Sequence, residues 1–560
     1  MIQSTVSRPI RFAAIDVGTN SIREIIVEAD ADGGLRLIDD EKVAARLGEG
    51  LLENGGLAPA AMDRAIEGIR RLREIADAYR VHHLEVVATA AVRCAPNREE
   101  FIERAERETG LRIRVISSDE EARLAFRSLA HNFELGNGRV LGLDVGGGSA
   151  DLVAANGRLI ESVHSIPTGA LLLSQSLDCA GAQTRKGLKK IRKAIRKIVR
   201  KSLPARLGAD ATLYASGGTV ATLATIAQAR RGESYASFHG CVVSRSEVKS
   251  ILRDLACLGP KERRGVPGLS SDRVDIIVSG LALVLEILKR AGVDRLCVSE
   301  KGIREGLVLD MVQRAIPGRR PRARNRLEGA NRLARLSDPD RRHTAHVRRL
   351  ALALYDRIFG PARRDGGART EREILEAAAI LHNIGRFIGY RKHHKHAYHM
   401  IVHSDLVGYS PREIELIANV ARYHRRAEPS RGHANFAALD RDGQKTVRRL
   451  AAILRFAGGL DRSHRQRVAD VLVRKNPGRI AVVALAADEN VDLEVWGARR
   501  NLRLLEKVLG LSVTLAVRRV AGPERRAARQ RRRLRRAVTA SEPAPAAVSA
   551  SAAPATLGAH

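Results

Sequence analysis

The sequence predicts an α/β fold built from two similar halves. Two stretches indicate the duplication, because each has the pattern of an apolar strand ending in Asp-Val-Gly, a turn of small residues and a returning apolar strand. The first covers residues 12–27, with Asp16-Val17-Gly18-Thr19-Asn20-Ser21 at its turn, and the second covers residues 140–153, with Asp144-Val145-Gly146-Gly147-Gly148-Ser149. A third turn, Ser216-Gly217-Gly218-Thr219, leads from a predicted strand into a predicted helix. We therefore expect a duplicated α/β domain with these turns between its halves.

Glycine turns of this kind favour a bound phosphate. Consecutive glycines let backbone N–H groups approach an anion closely, and the amides at a helix N-terminus do the same. Asp144 and Asp151 flank the second turn, and carboxylates beside a phosphate cradle usually serve a divalent metal or the attacking water. The alternative for this segment is a glycine-rich hairpin with solvated carboxylates. The occurrence of the pattern twice in one chain favours the phosphate site.

Length and composition limit the class of protein. At 560 residues with 44% apolar residues, the chain is long enough for several domains with large cores. It has no uninterrupted apolar stretch of about 18 residues, which predicts no transmembrane segment. Residues 1–11 lack the apolar core of a signal peptide, and five scattered cysteines without a CxxC spacing fit reduced thiols. Together these features predict a cytoplasmic protein.

The formal net charge of +34 predicts a polyanionic partner or an anionic surface. Aromatic residues make up only 3% of the chain, with one Trp, which leaves few platforms for stacking bases. The sequence also has no zinc-finger, homeodomain or RNP signature. A phosphate polymer without bases therefore fits the charge as well as DNA does. The alternative is that part of the charge reflects an arginine-rich genome composition.

Residues 1–135 form the first predicted half. A strand at 84–88 leads to Arg93, and an arginine just beyond a strand end can bind phosphate through two donors, although an ordinary surface arginine has the same pattern. Further on, Ser117-Ser118-Asp119-Glu120-Glu121 is typical of a helix N-terminus. From the residues alone, these acids are explained better as cap residues than as catalysts.

Residues 136–316 form the second half, whose most unusual element is a predicted helix at 184–203. Its apolar residues recur at helical spacing and are Leu188, Ile191, Ile195, Ile198, Val199 and Leu203. Its basic face contains Lys186, Lys189, Lys193, Arg196, Lys197, Arg200 and Lys201. Such a helix can bind a polyanion or lie on a membrane surface, and the alternative is the solvated face of a packed helix. A strand at 293–298 then precedes Gly302-Ile303-Arg304-Glu305-Gly306, which begins another helix.

The rest of the chain is predicted as a linker at 317–330, a helical domain at 331–475, a small α+β domain at 476–520 and a tail at 521–560. Helices are predicted at 346–358, 371–384, 411–424 and 444–456, and strands at 479–485, 491–495 and 512–517. The histidines of the helical domain, notably His382, His393, His394, His396, His399 and His424, indicate either metal binding or hydrogen bonds between helices. The tail starts arginine-dense and continues in Ala, Pro and Ser, so we expect it to be disordered.

These motifs resemble the exopolyphosphatase and guanosine pentaphosphate phosphohydrolase (Ppx/GppA) family, within the wider actin, sugar-kinase and heat-shock-chaperone superfamily. The matching segments occur in family order and cover residues 10–515. They are Asp16-Val17-Gly18-Thr19-Asn20-Ser21-Ile22-Arg23, Thr89-Ala90-Ala91-Val92-Arg93, Glu120-Glu121-Ala122-Arg123, Asp144-Val145-Gly146-Gly147-Gly148-Ser149, Gly217-Gly218-Thr219, Gly302-Ile303-Arg304-Glu305-Gly306, His382-Asn383-Ile384-Gly385-Arg386 and His393-His394-Lys395-His396. The resemblance implies two ribonuclease-H-like halves that form a cleft, then an all-helical HD-like domain and a small α+β domain.

The resemblance also implies roles in the hydrolysis of a terminal phosphoanhydride. Glu121 would orient or deprotonate the attacking water, with Asp151 as the second catalytic carboxylate, and Asp144, with Asp16 and Asp151 nearby, would hold Mg²⁺ or another divalent cation. The phosphate-binding residues would be Asn20, Ser21, Arg23, Arg93, Gly146, Gly147, Gly148, Ser149, Gly217, Gly218 and Arg304. The set agrees with what phosphoryl transfer needs, namely positioning, a metal and cationic donors around the phosphoryl oxygens.

Three departures from the family pattern bear on activity. Asp151 stands where the family has Glu, and its shorter side chain can change the metal distance or the placement of water. The helical domain has His382-Asn383 in place of a metal-binding His-Asp pair, and Gly458 stands where the family has another carboxylate. Because a neutral amide is a poor substitute for a metal-binding carboxylate, we interpret the HD-like domain as structural or substrate-guiding.

The leading hypothesis is an exopolyphosphatase that releases terminal orthophosphate from inorganic polyphosphate, with the basic helix and the linker as a positive track. The alternatives are the sister activity on guanosine pentaphosphate and a non-catalytic polyphosphate or nucleotide sensor. Family members are commonly dimers, so a homodimer is expected. Peripheral membrane association and contact between the basic tail and nucleic acid are alternatives that the sequence leaves open.

Overall fold

The computed structural model describes residues 9–519, apart from 30–33, 52, 54, 137, 209–210, 234, 317–325, 361–370, 405, 407 and 487–489. These residues divide into two compact units. The first contains residues 9–338, 384–419 and 430–440, and the second contains 339–383, 420–429 and 441–519. The predicted tail at 521–560 and most of the predicted linker lie outside the described residues.

The first half of the α/β region is a five-stranded sheet covered by helices. Its strands are β1 (Ile10–Val17), β2 (Ile22–Ala29), β3 (Leu35–Val43), β4 (His83–Ala88) and β5 (Ile113–Val115), in the order β3-β2-β1-β4-β5. Its helices are α1 (Pro59–Ala78), α2 (Ala90–Cys94), α3 (Arg98–Thr109) and α4 (Ser118–Asn132). Successive residues of β1 point to opposite faces, so Ile15 and Val17 enter one hydrophobic core while Phe12 and Ala14 enter another. Burial on both faces explains the continuous apolar run of this strand.

The second half is a six-stranded sheet with the order β10-β11-β9-β6-β7-β8. Its strands are β6 (Arg139–Val145), β7 (Ala150–Asn156), β8 (Leu159–Ile166), β9 (Thr212–Ser216), β10 (Val242–Ser244) and β11 (Arg295–Val298). Its helices are α5 (Ala170–Ser176), α6 (Arg185–Ser202), α7 (Gly218–Arg230), α8 (Arg245–Ala256), α9 (Pro260–Arg263), α10 (Ile277–Ala291) and α11 (Ile303–Ala315).

The two sheets have equivalent connections, which confirms the predicted duplication. In each, the first strand pairs antiparallel with the second and parallel with a later strand: β1 with β2 and β4, and β6 with β7 and β9. The order β3-β2-β1-β4-β5 therefore matches β8-β7-β6-β9-β11. The ribonuclease-H-like halves implied by the family resemblance are thus present. Helix α11 packs against α4 and β1, so the chain returns from the second half to the first.

The C-terminal part contains mainly helices, followed by a small three-stranded sheet. The helices are α12 (Arg326–Ser337), α13 (Arg341–Phe359), α14 (Glu371–Leu381), α15 (His393–Val402), α16 (Pro411–Arg422), α17 (Ala434–Ala437), α18 (Arg441–Gly459), α19 (Asp492–Arg499) and α20 (Leu502–Leu509). The strands are β12 (Val468–Asn476), β13 (Arg479–Ala486) and β14 (Ser512–Arg519), in the order β12-β13-β14. None of the helices that the structure describes has both the length and the apolar composition to cross a membrane.

Two predictions about this region were wrong. Residues 491–495 were predicted as a strand but begin α19, because an alternation of only five residues does not distinguish a strand from one turn of an amphipathic helix. β12 lies within residues 331–475, which were predicted to be wholly helical. It pairs antiparallel with β13 through a turn at Pro477-Gly478, where Gly478 has φ +70°. The Asn-Pro-Gly sequence before β13 was the signal for this hairpin.

Candidate functional site

A cleft of about 590 Å³ lies where the two halves of the α/β region meet. Residues of the turns after β1 and β6, the start of α7 and the start of α11 line it. Most of the predicted site residues are among the lining residues: Asp16, Asn20, Ser21, Arg23, Glu121, Asp144, Gly146, Gly147, Gly148, Ser149, Gly217, Gly218 and Arg304. The structure therefore brings together segments from across almost three hundred residues of sequence.

The turns after β1 and β6 have the same backbone structure. The Gly18 amide donates to the Ser21 carbonyl at 3.2 Å, and the Gly146 amide donates to the Ser149 carbonyl at 3.0 Å. Across the paired strands, Asp16 lies opposite Arg23 and Asp144 lies opposite Asp151. The duplicated hairpins thus place an arginine in the first half where the second half has an aspartate.

The glycine turn of the second half is held from behind by α5. The amides of Ala170 and Leu171 donate to the carbonyls of Gly146 and Gly147 at 3.0 and 2.9 Å. Within the part of the chain that the structure describes, the Gly147 and Gly148 amides donate to no carbonyl. A Cβ atom at position 148 would lie 2.4 Å from Thr19 Oγ1, so only glycine fits at this contact with the first half. These amides can therefore bind an anion.

The start of α7 forms a second anion-binding element of the cleft. Gly217 precedes the helix with φ +99°, and a Cβ atom there would lie 2.3 Å from the Val145 carbonyl oxygen. Glycine is required at this position by both its backbone conformation and its contact. The turn also directs the Ser216 hydroxyl, which donates to Asp144 Oδ1 at 2.6 Å. The first amides of α7 and the Asp144 carboxylate consequently lie at one place in the cleft.

Glu121 is 5% exposed and lies in the first turns of α4. Arg93 Nη1 donates to Glu121 Oε2 at 2.9 Å and to the Ile116 carbonyl at 2.8 Å. Burial raises the pKa of Glu121, the charge of Asp151 raises it further, and Arg93 opposes both. The structure thus makes Arg93 a hydrogen-bond partner of Glu121, and its predicted contact with a phosphate stays a prediction.

The aspartates are buried with too few hydrogen-bond donors. Burial raises the pKa of Asp16 to about 6. The positive charge of Arg304 opposes this rise, and the negative charge of Asp144 adds to it. Burial also raises the pKa of Asp144 and that of Asp151. Asp151 is 2% exposed behind the glycine turn, where its Oδ2 accepts from Ser149 Oγ at 3.2 Å. Among the described residues, no donor reaches Oδ1 of Asp16 or of Asp151.

This donor set fits a hard divalent cation. Mg²⁺ prefers oxygen ligands and commonly takes one or two carboxylates together with water and substrate phosphates. Asp16 and Asp151 each have a buried carboxylate oxygen without a donor, and Asp144 lies opposite Asp151 in the hairpin. Among the described residues, no three histidine, cysteine, aspartate or glutamate side chains converge closely enough to hold a metal ion by themselves. The sparse carboxylate ligation typical of Mg²⁺ is compatible with such an open arrangement.

Two of the predicted arginines, Arg23 and Arg304, lie close together in the cleft. Arg304 is 5% exposed, and its Nη1 donates to Asp40 Oδ1 at 2.6 Å and to the Glu24 carbonyl at 2.7 Å. Burial lowers the pKa of Arg23, and the charge of Arg304 lowers it further, because the two guanidinium groups are close together. A phosphate beside them would relieve this repulsion.

Three further cations that line the cleft were missed in the sequence: Lys42, Arg273 and Lys301. Lys42 forms an ion pair with Asp272, which joins the two halves. The Arg273 guanidinium lies against Gly218 at the start of α7 and forms no ion pair with the described residues. The adjacent Gly302-Ile303-Arg304 motif was the one local signal for Lys301. Neither Lys42 nor Arg273 belongs to a pattern that predicts its place.

The histidines of the C-terminal region form hydrogen bonds within their own surroundings. His343 Nδ1 lies 2.8 Å from Asp461 Oδ2, and His464 Nδ1 lies 2.5 Å from Asp340 Oδ2. His382 Nδ1 contacts the Ala379 carbonyl oxygen at 2.8 Å. Within the predicted cluster, His382, His393 and His424 each contact a carbonyl oxygen three residues earlier in the chain, so these bonds are local, and the predicted hydrogen bonding between helices stays a prediction.

Two family models match the chain. The model described as the Ppx/GppA phosphatase family matches residues 25–315, and the model described as domain III of the Ppx/GppA phosphatases matches residues 326–494. Among curated proteins, a guanosine-5'-triphosphate,3'-diphosphate pyrophosphatase of Aeromonas hydrophila is 28% identical over 483 residues, which cover 86% of this chain and 91% of that protein. A protein of the same description from Aeromonas salmonicida is also 28% identical, over 455 residues that cover 80% of this chain and 86% of that protein.

Solved structures of similar proteins cover about half of this chain. An exopolyphosphatase-like protein is 25% identical with a TM-score of 0.50, covering 55% of this chain and 99% of that chain. The Aquifex aeolicus member of the Ppx/GppA family is 28% identical with a TM-score of 0.47, again with 55% of this chain and 99% of that chain covered.

Proposed function

The chain belongs to the Ppx/GppA phosphatase family and is a phosphoanhydride hydrolase, and from this premise we propose that it releases terminal orthophosphate from inorganic polyphosphate. The observation that supports this proposal most is the position of Glu121. A buried carboxylate with a raised pKa lines the same cleft as two glycine turns and a group of cations. This arrangement has a base, an anion cradle and charge neutralisation at one place, which is what hydrolysis of a phosphoanhydride requires.

The chemistry follows from these positions. The amides of Gly147 and Gly148 and the start of α7 hold the terminal phosphoryl group, and Arg23 and Arg304 neutralise its charge. Glu121 takes a proton from water as the water oxygen attacks the terminal phosphorus. The bridging P–O bond breaks, orthophosphate leaves, and the shortened chain keeps the electron pair. A divalent cation held by Asp144 and Asp16, the two aspartates that line the cleft, would supply further stabilisation of negative charge.

Arg93 has a positioning role in this scheme. Its two hydrogen bonds fix the Glu121 carboxylate against the Ile116 carbonyl, and its charge keeps the pKa of Glu121 from rising further. A base must be deprotonated at the working pH and still accept a proton in the transition state. Burial raises the pKa of Glu121 to about 8 and so strengthens it as a proton acceptor, while Arg93 opposes this rise and favours the deprotonated carboxylate.

The choice of polyphosphate over a nucleotide is based on the lack of base-binding surface. Phe238 is the aromatic residue among the described residues that line the cleft, and the chain as a whole has 3% aromatic residues. A net charge of +34 suits a long polyanion. Guanosine pentaphosphate is the second candidate, because two similar curated proteins from Aeromonas are described as pyrophosphatases of that nucleotide.

Phosphate release from long-chain polyphosphate with Mg²⁺ tests the proposal, with wild type beside Glu121→Gln. We expect the substitution to lower kcat by roughly 10²–10⁴-fold, since a positioned general base contributes that much. Glu120→Gln is the matched control, because Glu120 is the neighbouring residue on α4 and pairs with Arg114 away from the cleft. Guanosine pentaphosphate is added as a competing substrate. Release from the nucleotide alone would assign the protein to the sister activity, and equal rates in both variants would contradict the role of Glu121.

A further inference from the structure

Helix α6 (Arg185–Ser202) is fixed to the protein by one face. Ile191, Ile195 and Val199 are at most 5% exposed and belong to the core of the second half. Glu286 on α10 is 2% exposed and accepts from Arg192 Nη2 at 2.6 Å and from Arg196 Nε at 2.9 Å. The apolar stripe and this pair of arginines set the rotation of α6, so its remaining face is permanently turned to solvent.

The solvent face of α6 is unusually basic and contains no counter-charges. Its exposed cations, here called the outer cations, are Arg185, Lys186, Lys189, Lys190, Lys193, Lys197, Arg200 and Lys201. No acid among the described residues forms an ion pair with any of them, and α6 itself contains no Asp or Glu. The arginines of α1 and α3 differ, since Arg70, Arg71 and Arg104 each pair with a nearby glutamate. The outer cations extend over roughly 25 Å of helix.

The chemistry of this face indicates what it binds. The outer cations are mostly lysines, which act as point charges on flexible stems rather than as planar forks. α6 has no aromatic residue and no Asn or Gln, so it offers neither stacking nor base contacts. Its apolar stripe is inside the protein, so it cannot insert into a lipid bilayer. A linear phosphate polymer without bases is the partner that these features favour.

We propose that the outer face of α6 is a binding site for polyphosphate separate from the cleft, an inference that rests on and deepens the proposed function. None of the outer cations lines the cleft. A long chain held on α6 would present its end to the cleft at a raised effective concentration, as in any two-site interaction. A short chain would occupy the cleft alone. The helix therefore gives the enzyme a preference for long chains through KM.

A charge-reversal variant of the full chain tests this site. Lys189→Glu, Lys193→Glu and Lys197→Glu are combined, and the control combines Arg107→Glu, Arg112→Glu and Lys261→Glu. The control residues are also exposed and without ion pairs among the described residues, and the change in net charge is identical. We expect the α6 variant to raise KM for long-chain polyphosphate about tenfold or more at low salt, with kcat unchanged and tripolyphosphate kinetics unaffected. The control variant should differ from wild type by less than about twofold.

Binding measurements separate this site from the proposed function. Long-chain polyphosphate is titrated into Glu121→Gln protein with and without the α6 substitutions, and phosphatidylserine vesicles and duplex DNA are titrated in parallel. Polyphosphate binding that is weakened by the α6 substitutions but not by the control substitutions supports the site. This result would support the site even if wild type released no phosphate, whereas the lack of phosphate release would overturn the proposed function. Equal KM and equal polyphosphate affinity in the α6 variant and the control would overturn the site. Loss of vesicle or DNA binding, with polyphosphate affinity unchanged, would also overturn it.

Discussion

At the scale of single residues, the site depends on the interaction between Glu121 and Asp151. The charge of Asp151 raises the pKa of Glu121, which burial has already raised. Asp151 is behind the glycine turn and does not line the cleft, so its influence on Glu121 is electrostatic. This explains how the aspartate can act on the reaction without touching the phosphoryl group.

Asp151→Asn should therefore move the acidic limb of the pH profile of kcat/KM. Removing the negative charge lowers the pKa of Glu121, so the base is deprotonated at lower pH and the limb shifts down by roughly 1 pH unit. The measurement is kcat/KM across a pH series, with Glu120→Gln as the control that leaves the limb in place. An acidic limb at the wild-type position in Asp151→Asn would show that the two carboxylates do not interact.

Asp16 gives a second prediction, on stability. Its folded pKa of about 6 is above the ordinary value of ~3.9, so the folded state binds more protons between these pH values. By linkage, the contribution of Asp16 to stability is present at low pH and is lost as pH rises through about 6. A divalent cation binds the ionised carboxylate and should restore this stability at higher pH.

Thermal melting with and without Mg²⁺ at about pH 5 and about pH 7.5 measures this effect. We expect Mg²⁺ to raise Tm more at the higher pH, and Asp16→Asn to reduce both the pH dependence and the Mg²⁺ effect. Asp63→Asn is the control, since Asp63 is an exposed aspartate on α1. A Mg²⁺ effect of equal size in wild type and Asp16→Asn would exclude Asp16 from the cation site.

The residues of the site differ in how far the sequence could predict them. Asp16, Asp144 and the glycine turns were predicted because each lies in a short local pattern with a known backbone consequence. Arg273 and Lys42 were missed because they reach the cleft only through long-range packing. Arg273 ends a short 3₁₀ helix before α10, and Lys42 lies on the strand next to β2. Arg93 was identified as a phosphate-binding residue, and its hydrogen bond to Glu121 is an additional contact that the sequence could not show.

At the scale of secondary-structure elements, α6 depends on the buried carboxylate of Glu286. Glu286→Gln would leave the guanidinium groups of Arg192 and Arg196 facing a neutral amide at a buried position. Because Arg196 is 45% exposed and water screens part of its charge, we expect a loss of about 2 kcal/mol rather than the 3–5 kcal/mol of a fully buried pair. Urea unfolding measures this loss.

Glu161→Gln is the matched control for Glu286→Gln, because it removes the same charge from an ion pair in which both partners are largely exposed. Its effect should stay within about 0.5 kcal/mol. Equal stability of wild type and Glu286→Gln would mean that the apolar stripe alone holds α6 in place.

Elements were predictable where the apolar period was long. α6 and the helices α13 and α18 each repeat the helical period over several turns, and the structure has all three. Residues 491–495 show the limit, since these five alternating residues satisfy the strand pattern but form the N-cap and first turn of α19. Whether such a short segment becomes a helix or a strand depends on the residues that it packs against, and the local sequence pattern does not contain that information.

At the scale of the whole molecule, the described residues contain the three sheets up to Arg519 with their cores. Truncation after residue 522 should consequently leave cooperative thermal melting and Tm unchanged. Truncation after residue 511 is the contrasting variant, because it removes β14 from the small sheet. A non-cooperative transition in the protein truncated after residue 522 would show that residues 523–560 contribute to the fold.

The duplicated sequence pattern predicted the two sheets of the α/β region but not which residues of each half come together at the site. Two matching hairpins in the sequence were enough to predict two matching sheets, because the same pattern has the same backbone consequence in both halves. The positions of Glu121, Lys42 and Asp272 relative to one another depend on how the two halves pack together. This packing is a long-range property that no single segment of the sequence predicts.

The arginine at position 23 and the aspartate at position 151 occupy equivalent places in the two hairpins. The two hairpins therefore have equivalent backbones but opposite charges at this place. Arg23 lines the cleft and Asp151 does not. Duplication thus supplied two glycine turns for binding an anion, while the charge beside each turn diverged, and only the first hairpin adds a cation to the cleft at this position.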